Sequence, residues 1–205
     1  QRALTELVEG RDLSPEDAAT AMEIILTGQA TDAQIAAFAV ALRLKGETID
    51  EVTGMARALR HRATPFPLAP EVDRSALLDT CGTGGDGAHT FNVSTAVALV
   101  AAGAGVGVAK HGNRAVSSLT GSADVLEQLG LPLDLSPALS VECLREVGVV
   151  FLFAPAYHSA LKHAAGPRRE MGLRTVFNVL GPLCNPAGVG RQLVGVFDAG
   201  WVSRL

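Results

Sequence analysis

Over the first 62 residues apolar positions recur at helical spacing, with polar residues between them. Ala18, Met22, Ile25 and Leu26 form one stripe. It is opened by Ser14-Pro15-Glu16-Asp17: a hydroxyl cap, proline at the first helical position and acids in the first turn. Gly28 ends this helix. Thr31-Asp32 opens a second, with Ile35, Phe38, Ala39 and Leu42 on one face and an end near Gly46. Thr48, with Glu51 three residues on, is a capping box for a third helix that runs to about His61. Short helices of this kind leave an apolar stripe bare. The pattern predicts cover from the second domain or from another subunit.

Thr64-Pro-Phe-Pro-Leu-Ala-Pro70 breaks the periodicity, because three prolines in so short a stretch cannot continue a helix. Strand and helix patterns then alternate. Strands are predicted at Ala76–Asp79, Val106–Ala109, Val149–Phe153 and Gln192–Phe197. The helix predicted over Ser94–Ala104 is apolar all round, which predicts burial on every side. Further helices are predicted from Ser122 to Leu129, from Ser136-Pro137 to about Val147, and from Pro155 to about Ala164. The expected fold class is α/β: a small N-terminal helical domain (1–63), a linker (64–71) and a larger domain (72–205) with a mostly parallel sheet flanked by helices. The chain opens inside a helical pattern without an initiator Met. It ends just after the fourth strand, where another helix is expected, so a C-terminally truncated piece of a longer protein is expected.

Composition narrows the class. Hydrophobic residues make up 48% and charged residues 19%, which excludes a disordered chain. A net charge of −4 argues against nucleic acid as a partner. No run of 18 apolar residues exists and no signal peptide opens the chain, so no membrane partner is expected. Cys81, Cys143 and Cys184 are far apart and odd in number. They predict reduced thiols in a cytoplasmic protein rather than a disulfide framework.

The charges are unevenly placed. Residues 1–86 hold 14 acids against 8 basic residues, whereas residues 87–205 hold 7 acids against 9. Between Ala88 and Ala123 there is no acid at all, and Lys110-His-Gly-Asn-Arg114 falls inside that window. Just before it, Gly82-Thr-Gly-Gly-Asp-Gly87 links a strand to a helix. A dinucleotide site requires an acid about 20 residues later, and none is there. The lysine that closes a Walker loop is also missing. The glycines instead suit a main chain that approaches a diphosphate, with Asp86 accepting from sugar hydroxyls or bracing the loop. A plain turn is the simpler alternative.

Asn92-Val-Ser-Thr95 is either a simple cap or a set of hydroxyls and N–H groups turned to the same anion. Ser94 is then an oxygen donor suited to Mg²⁺. Ser117-Ser118 and Gly121-Ser122 offer another helix N-terminus to a phosphate, and Asp124 reads as a cap. Residues 147–197 carry one acid, Glu170, beside Lys162, Arg168, Arg169, Arg174 and Arg191. A second anionic group, such as a carboxylate substrate, accounts for part of that excess. No metal-ligand spacing of His or Cys appears, and no residue is assigned as a catalytic acid or base.

Several segments together resemble the anthranilate phosphoribosyltransferase family. They are Gly28-Gln-Ala-Thr-Asp-Ala-Gln-Ile-Ala-Ala-Phe38, Asp79-Thr-Cys-Gly-Thr-Gly-Gly-Asp86, Asn92-Val-Ser-Thr95, Lys110-His-Gly-Asn-Arg-Ala-Val-Ser-Ser118, Gly121-Ser-Ala-Asp-Val-Leu-Glu-Gln-Leu-Gly130 and Arg174-Thr-Val-Phe-Asn-Val-Leu-Gly-Pro-Leu-Cys-Asn-Pro186. The resemblance implies a fold of the nucleoside phosphorylase/phosphoribosyltransferase type and a homodimer formed through the helical domain. It implies transfer of phosphoribosyl from phosphoribosyl diphosphate to the amine of anthranilate, in tryptophan biosynthesis.

Phosphoribosyl diphosphate would meet Gly82, Gly85, Asp86, Thr90, Asn92, Val93, Ser94, Thr95, Lys110, His111, Gly112, Asn113, Arg114, Ala115, Val116, Ser117, Ser118 and Ser122. Anthranilate would meet Gly82, Asn113, His158 and Arg168, with Arg168 facing its carboxylate. Ser94 would be a magnesium ligand, and the family's remaining metal ligands, an Asp-Glu pair, would lie beyond Leu205. Three alternatives stay open: a pyrimidine nucleoside phosphorylase, a nucleic-acid-binding protein of the same fold without enzymatic activity, and a folded but inactive fragment.

Overall fold

The computed structural model describes residues 1–84, 91–115 and 120–205. Among them the chain forms two compact units. The first holds Gln1–Ala63, His158–Cys184 and Val202–Leu205; the second holds Thr64–Tyr157 and Asn185–Trp201.

The first unit is helical. Its N-terminal helices are α1 (Arg2–Val8), α2 (Pro15–Leu26), α3 (Asp32–Lys45) and α4 (Ile49–Arg62). The caps sit where the sequence puts them. Ser14 Oγ accepts from Asp17 N at 3.0 Å, and Thr31 and Thr48 form capping boxes with Gln34 and Glu51. Ala18, Met22, Ile25, Ile35, Phe38, Leu42, Val52, Met55 and Leu59 are buried, which makes the helical stripes the core. The pair α2 and α4 packs most closely. A Cβ on Gly54 would lie 2.1 Å from the Pro15 carbonyl oxygen, so only glycine allows this approach.

Cover for the stripe also comes from later in the chain. Helix α9 (Lys162–Met171) packs on α3 and α2, and α10 (Val176–Leu180) packs on α3 and α4. The sequence predicts one helix over 155–164. The chain instead forms the short α8 (Ala154–Tyr157), a 3₁₀ turn at Ser159–Leu161, and then α9, which carries Pro167 in its interior.

The second unit is a four-stranded parallel sheet in the order β3-β2-β1-β4. Its strands are β1 (Leu78–Gly82), β2 (Val108–Gly112), β3 (Val149–Phe153) and β4 (Arg191–Gly195). Helices α5 (Val93–Gly103), α6 (Ser122–Gln128) and α7 (Pro137–Val147) connect β1, β2 and β3. Phe66, Leu77, Ala109, Leu144, Val150, Leu152 and Ala187 form the core. β1 and β2 each begin two residues later, and end three residues later, than their patterns predict. Arg74–Ala76 forms a 3₁₀ turn before β1, and the polar Lys110 and His111 are strand residues, hidden from a search for apolar runs.

Helix α5 departs from expectation. Thr95 and Ala98 are buried, whereas Val93, Leu99 and Val100 are exposed. Only a narrow face of small residues packs against β1 and β2. A helix without polar contrast carries no sequence signal for which face turns inward.

The strand order places the start of the sheet's change of direction between β1 and β4. Parallel sheets bind ligands at the carboxyl ends of strands near such a point. β1 leads there into Gly82-Thr83-Gly84.

Candidate functional site

The α/β unit places its candidate residues at the carboxyl ends of β1 and β2. β1 pairs with β4 in register from Leu78↔Arg191 to Gly82↔Gly195, and with β2 at Leu78↔Val108. Beyond that pair, side chains take over the ladder's work of satisfying backbone groups between β1 and β2. Asp79 is fully buried. Its Oδ1 accepts from His111 N at 3.0 Å, and its Oδ2 accepts from the Gln192 amide at 3.1 Å. Lys110, also buried, donates its Nζ to the Thr80 carbonyl at 2.5 Å and to Ser94 Oγ at 3.2 Å.

Burial pushes the Lys110 amine below its ordinary range, and the nearby Asp79 opposes that shift. Burial also raises the Cys81 thiol, with Asp79 adding to the effect, which favours the neutral thiol.

After β1, Gly84 adopts a φ of 67°, a turn conformation that suits glycine. Thr83 Oγ1 accepts from Phe197 N at 3.1 Å and so ties this turn to the segment after β4. Gly85, Asp86 and Thr90 lie outside the described residues, as do Val116, Ser117 and Ser118.

Helix α5 begins with Asn92 as its cap. The Asn92 Oδ1 accepts from Thr95 Oγ1 at 2.7 Å and from Thr95 N at 3.4 Å. Val93 is exposed, Ser94 half-buried and Thr95 buried. Thr80 Oγ1 donates to the Ser94 carbonyl at 2.8 Å. The positive end of an 11-residue helix dipole therefore stands beside Thr80 of β1. Thr80 and Asp79 were not singled out in the sequence as working residues. Their signal was two polar side chains inside a short buried strand.

The loop after β2 is organised by an acid. The Asp124 Oδ2 accepts from Ala115 N at 3.0 Å and from Gly121 N at 2.8 Å. These bonds, together with Arg114, hold its carboxyl below the usual carboxylate range. Asp124 is thus a clamp on the loop as well as the cap of α6. Arg114 is exposed and pairs with Asp124 at 3.2 Å and with both oxygens of Glu127 at 2.7 and 2.8 Å. Its charge is met within the protein. Asn113 is exposed, and its carbonyl accepts from Ser122 Oγ at 3.3 Å and Ala123 N at 3.2 Å. A Cβ on Gly112 would lie 2.3 Å from Ser122 Oγ, so β2 and α6 approach here more closely than any other residue allows.

The helical unit holds the other two candidates. His158 is buried, and its Nε2 lies 2.8 Å from the Cys184 carbonyl, an acceptor that requires the N–H on that nitrogen. Burial lowers its pKa, with the Cys184 contact opposing, which favours the neutral ring. Arg168, on α9, is largely removed from water, and its guanidinium lies over the Phe177 ring at 5.5 Å. Burial lowers its pKa, and among the described residues no carboxylate reaches it. Phe177 was not anticipated, since a partner on a different helix leaves no mark of spacing.

Among the described residues no three His, Cys, Asp or Glu side chains group to hold a metal ion. No helix of the described residues is long and apolar enough to cross a membrane.

A helical bundle preceding a parallel sheet with a glycine turn at its switch point is the architecture of a glycosyl transferase family. Residues 1–63 match that family's helical bundle domain and residues 74–205 match its a/b domain, and the chain belongs to this family. Its relatives carry a narrower name. The anthranilate phosphoribosyltransferase of Moorella thermoacetica is 60% identical over 195 residues, covering 95% of this chain and 56% of the relative. The crystal structure of the Thermus thermophilus anthranilate phosphoribosyltransferase superposes with a TM-score of 0.89 at 45% identity, over 100% of this chain and 61% of that one. The Saccharomyces cerevisiae enzyme in complex with PRPP and Mg superposes with a TM-score of 0.88 at 29% identity, over 99% of this chain and 60% of that one. The chain therefore spans a little more than half the length of the relatives it matches.

Proposed function

We propose that the protein to which this chain belongs transfers the phosphoribosyl group from phosphoribosyl diphosphate to the amine of anthranilate. The products are N-(5-phosphoribosyl)anthranilate and diphosphate, and the step belongs to tryptophan biosynthesis in the cytoplasm. The observation that carries this reading is Arg168. A desolvated guanidinium over an aromatic ring, with no carboxylate partner among the described residues, is an electrostatic deficit that an aromatic carboxylate ligand fills. The names of the relatives, and the PRPP and Mg bound by the yeast protein, support the same reading.

The remaining roles are those the family resemblance implies. Gly82, Gly85, Asp86, Thr90 and Asn92–Thr95 receive the diphosphate. Lys110–Ser118 and Ser122 receive the ribose and its phosphate. Gly82, Asn113, His158 and Arg168 receive anthranilate. As the C1–O bond breaks, its electron pair passes to the diphosphate, and positive charge develops on the ribose. The amine lone pair forms the new N–C1 bond, and the nitrogen then releases its proton to solvent. The protein's part is to hold the leaving group at N–H donors and the end of α5, and to align the amine. No side chain needs to act as a strong base.

Ser94 offers a single hard oxygen. One oxygen does not hold magnesium, so an ion here would take further oxygens from the diphosphate and from the Asp-Glu pair that the resemblance implies. Such an ion, when bound, offsets charge on the departing diphosphate. The helical unit exposes Val8, Leu44 and Ile49 and holds a cavity of about 390 Å³ lined by Leu4, Leu13, Ile24 and Phe38, which suits the proposed homodimer contact.

The test uses the full-length protein. Anthranilate fluorescence is expected to fall only when phosphoribosyl diphosphate and Mg²⁺ are both present. Turnover of a pyrimidine nucleoside with phosphate, and none with anthranilate, would reject the proposal.

A further inference from the structure

The Arg168 guanidinium is held by an aromatic ring. It lies over Phe177, 5.5 Å from the ring centroid. Among the described residues no carboxylate and no hydrogen-bond acceptor takes its N–H groups. An arginine side chain with nothing to restrain it spreads over many rotamers, and a ligand that binds it then bears the entropy of ordering it. Here the ring is the restraint.

Phe177 is itself fixed. It is 4% exposed, and its neighbours Val176, Val179 and Leu180 on α10 are buried. The turn before α10 is tied down twice. Arg43 of α3 donates to the Arg174 carbonyl, and Thr175 N donates to Asn178 Oδ1 at 3.1 Å. On the other side, α9 stops soon after Arg168. Gly172 takes a left-handed φ of 59°, and its N–H donates to the Arg168 carbonyl at 3.3 Å. The kind of partner matters chemically. A carboxylate would also hold the guanidinium, but it would cancel the charge and occupy the N–H fork. A ring attracts the cation through its negative face and leaves the net charge intact.

We propose that Phe177 is a positioning residue: through a cation–π contact it presents the Arg168 guanidinium, in place and with its charge unmet, to the carboxylate of the aromatic acceptor, without touching that acceptor itself. This rests on the reaction proposed above and on Arg168 meeting the carboxylate there. It separates Phe177 from a core residue that only fills space. Filling depends on volume. Attraction depends on the charge of the ring face, and it has nothing to act on once the guanidinium is gone.

The experiment is steady-state kinetics of the full-length protein with anthranilate, phosphoribosyl diphosphate and Mg²⁺, with the melting temperature recorded for each variant. Replacing Phe177 by a ring-fluorinated phenylalanine keeps the shape of the side chain and weakens the negative face of the ring. It is expected to lower kcat/KM for anthranilate about threefold and to leave the KM for phosphoribosyl diphosphate and the melting temperature near wild type. Phe177→Leu is expected to lower kcat/KM for anthranilate about fivefold; if it does not fold, the fluorinated ring gives the answer. In the Arg168→Ala background either replacement is expected to cost less than about twofold. A fluorinated ring without effect, or a Phe177 effect of equal size with and without the guanidinium, overturns the inference and returns Phe177 to the core, while a loss of anthranilate use in Arg168→Ala alone still upholds the carboxylate role. An Arg168→Ala variant with wild-type kcat/KM for anthranilate overturns that role and the inference with it. A wild-type protein that does not consume anthranilate overturns the proposed reaction and this inference together.

Discussion

The loop after β2 and helix α9 each present a guanidinium where the sequence expects an anion to bind. Arg114 is exposed, over the Phe153 ring at 5.8 Å, and two carboxylates, Asp124 and Glu127, already hold it. Arg168 is drawn out of water over the Phe177 ring at 5.5 Å and has no carboxylate among the described residues. The motif around Arg114 is the more conspicuous in the sequence, yet its charge is balanced within the protein. Arg168, beside Arg169 on α9, is the one whose burial no carboxylate among the described residues matches. Burial without a counter-charge is costly, and a fold that retains it marks a place where a ligand supplies the missing charge.

The contrast can first be tested with a buried charge that is fully matched. Glu51 is fully buried, and its Oε1 accepts from Leu13 N at 3.0 Å. Its Oε2 accepts from Thr48 N at 2.9 Å and from Lys45 Nζ at 3.0 Å. If matched charges serve the fold and unmatched ones serve ligands, Glu51→Ala should damage stability and leave the intrinsic ligand affinities of the folded fraction alone. A loss of about 3 kcal/mol is expected, read from a denaturant midpoint at unchanged slope. A variant of normal stability with weakened substrate binding would break the distinction.

The next test falls on Arg168 itself. Arg168→Ala should weaken anthranilate binding by about 2–3 kcal/mol, roughly a hundredfold, with much less effect on phosphoribosyl diphosphate. Because no carboxylate among the described residues pairs with this cation and only the contact with the Phe177 ring is lost, the melting temperature should change little. Equal losses for both substrates would show that Arg168 supports the structure rather than a carboxylate.

Much of this was legible before any coordinates. The caps at Ser14, Thr31 and Thr48 are local, and local chemistry alone sets them. The alternation of strand and helix after Pro70 is likewise a matter of short-range pattern. Contacts between distant segments were not legible. Nothing in Lys162–Leu180 announces that α9 and α10 pack on the N-terminal helices, since that depends on tertiary geometry. The inward turn of Lys110 was hidden because a lysine in a glycine-rich stretch reads as a solvated charge. The exposed face of α5 was hidden because every face of it is apolar. Asp124 shows the intermediate case: its capping role was legible, and its hold on Ala115 and Arg114 across the loop was not.

The smallest effects separate the two regions by acid. His158, in the helical unit, is neutral in the fold because burial lowers its pKa from an ordinary 6.5. The unfolded chain takes up that proton first. His158 therefore contributes stability above about pH 6.5 that is lost as pH falls toward its lower folded value. Asp124, in the loop after β2, is held below its ordinary 3.8 by Ala115 N, Gly121 N and Arg114. Its contribution is present above that value and is lost only as pH falls further through the folded pKa. Solvent screening keeps it under about 1 kcal/mol. Urea midpoints followed from pH 7 to pH 3 should thus fall in two steps. His158→Gln should flatten the upper one and Asp124→Asn the lower one. If Asp124→Asn instead removed the upper step, the assignment of each acid-sensitive contact to its region would be reversed.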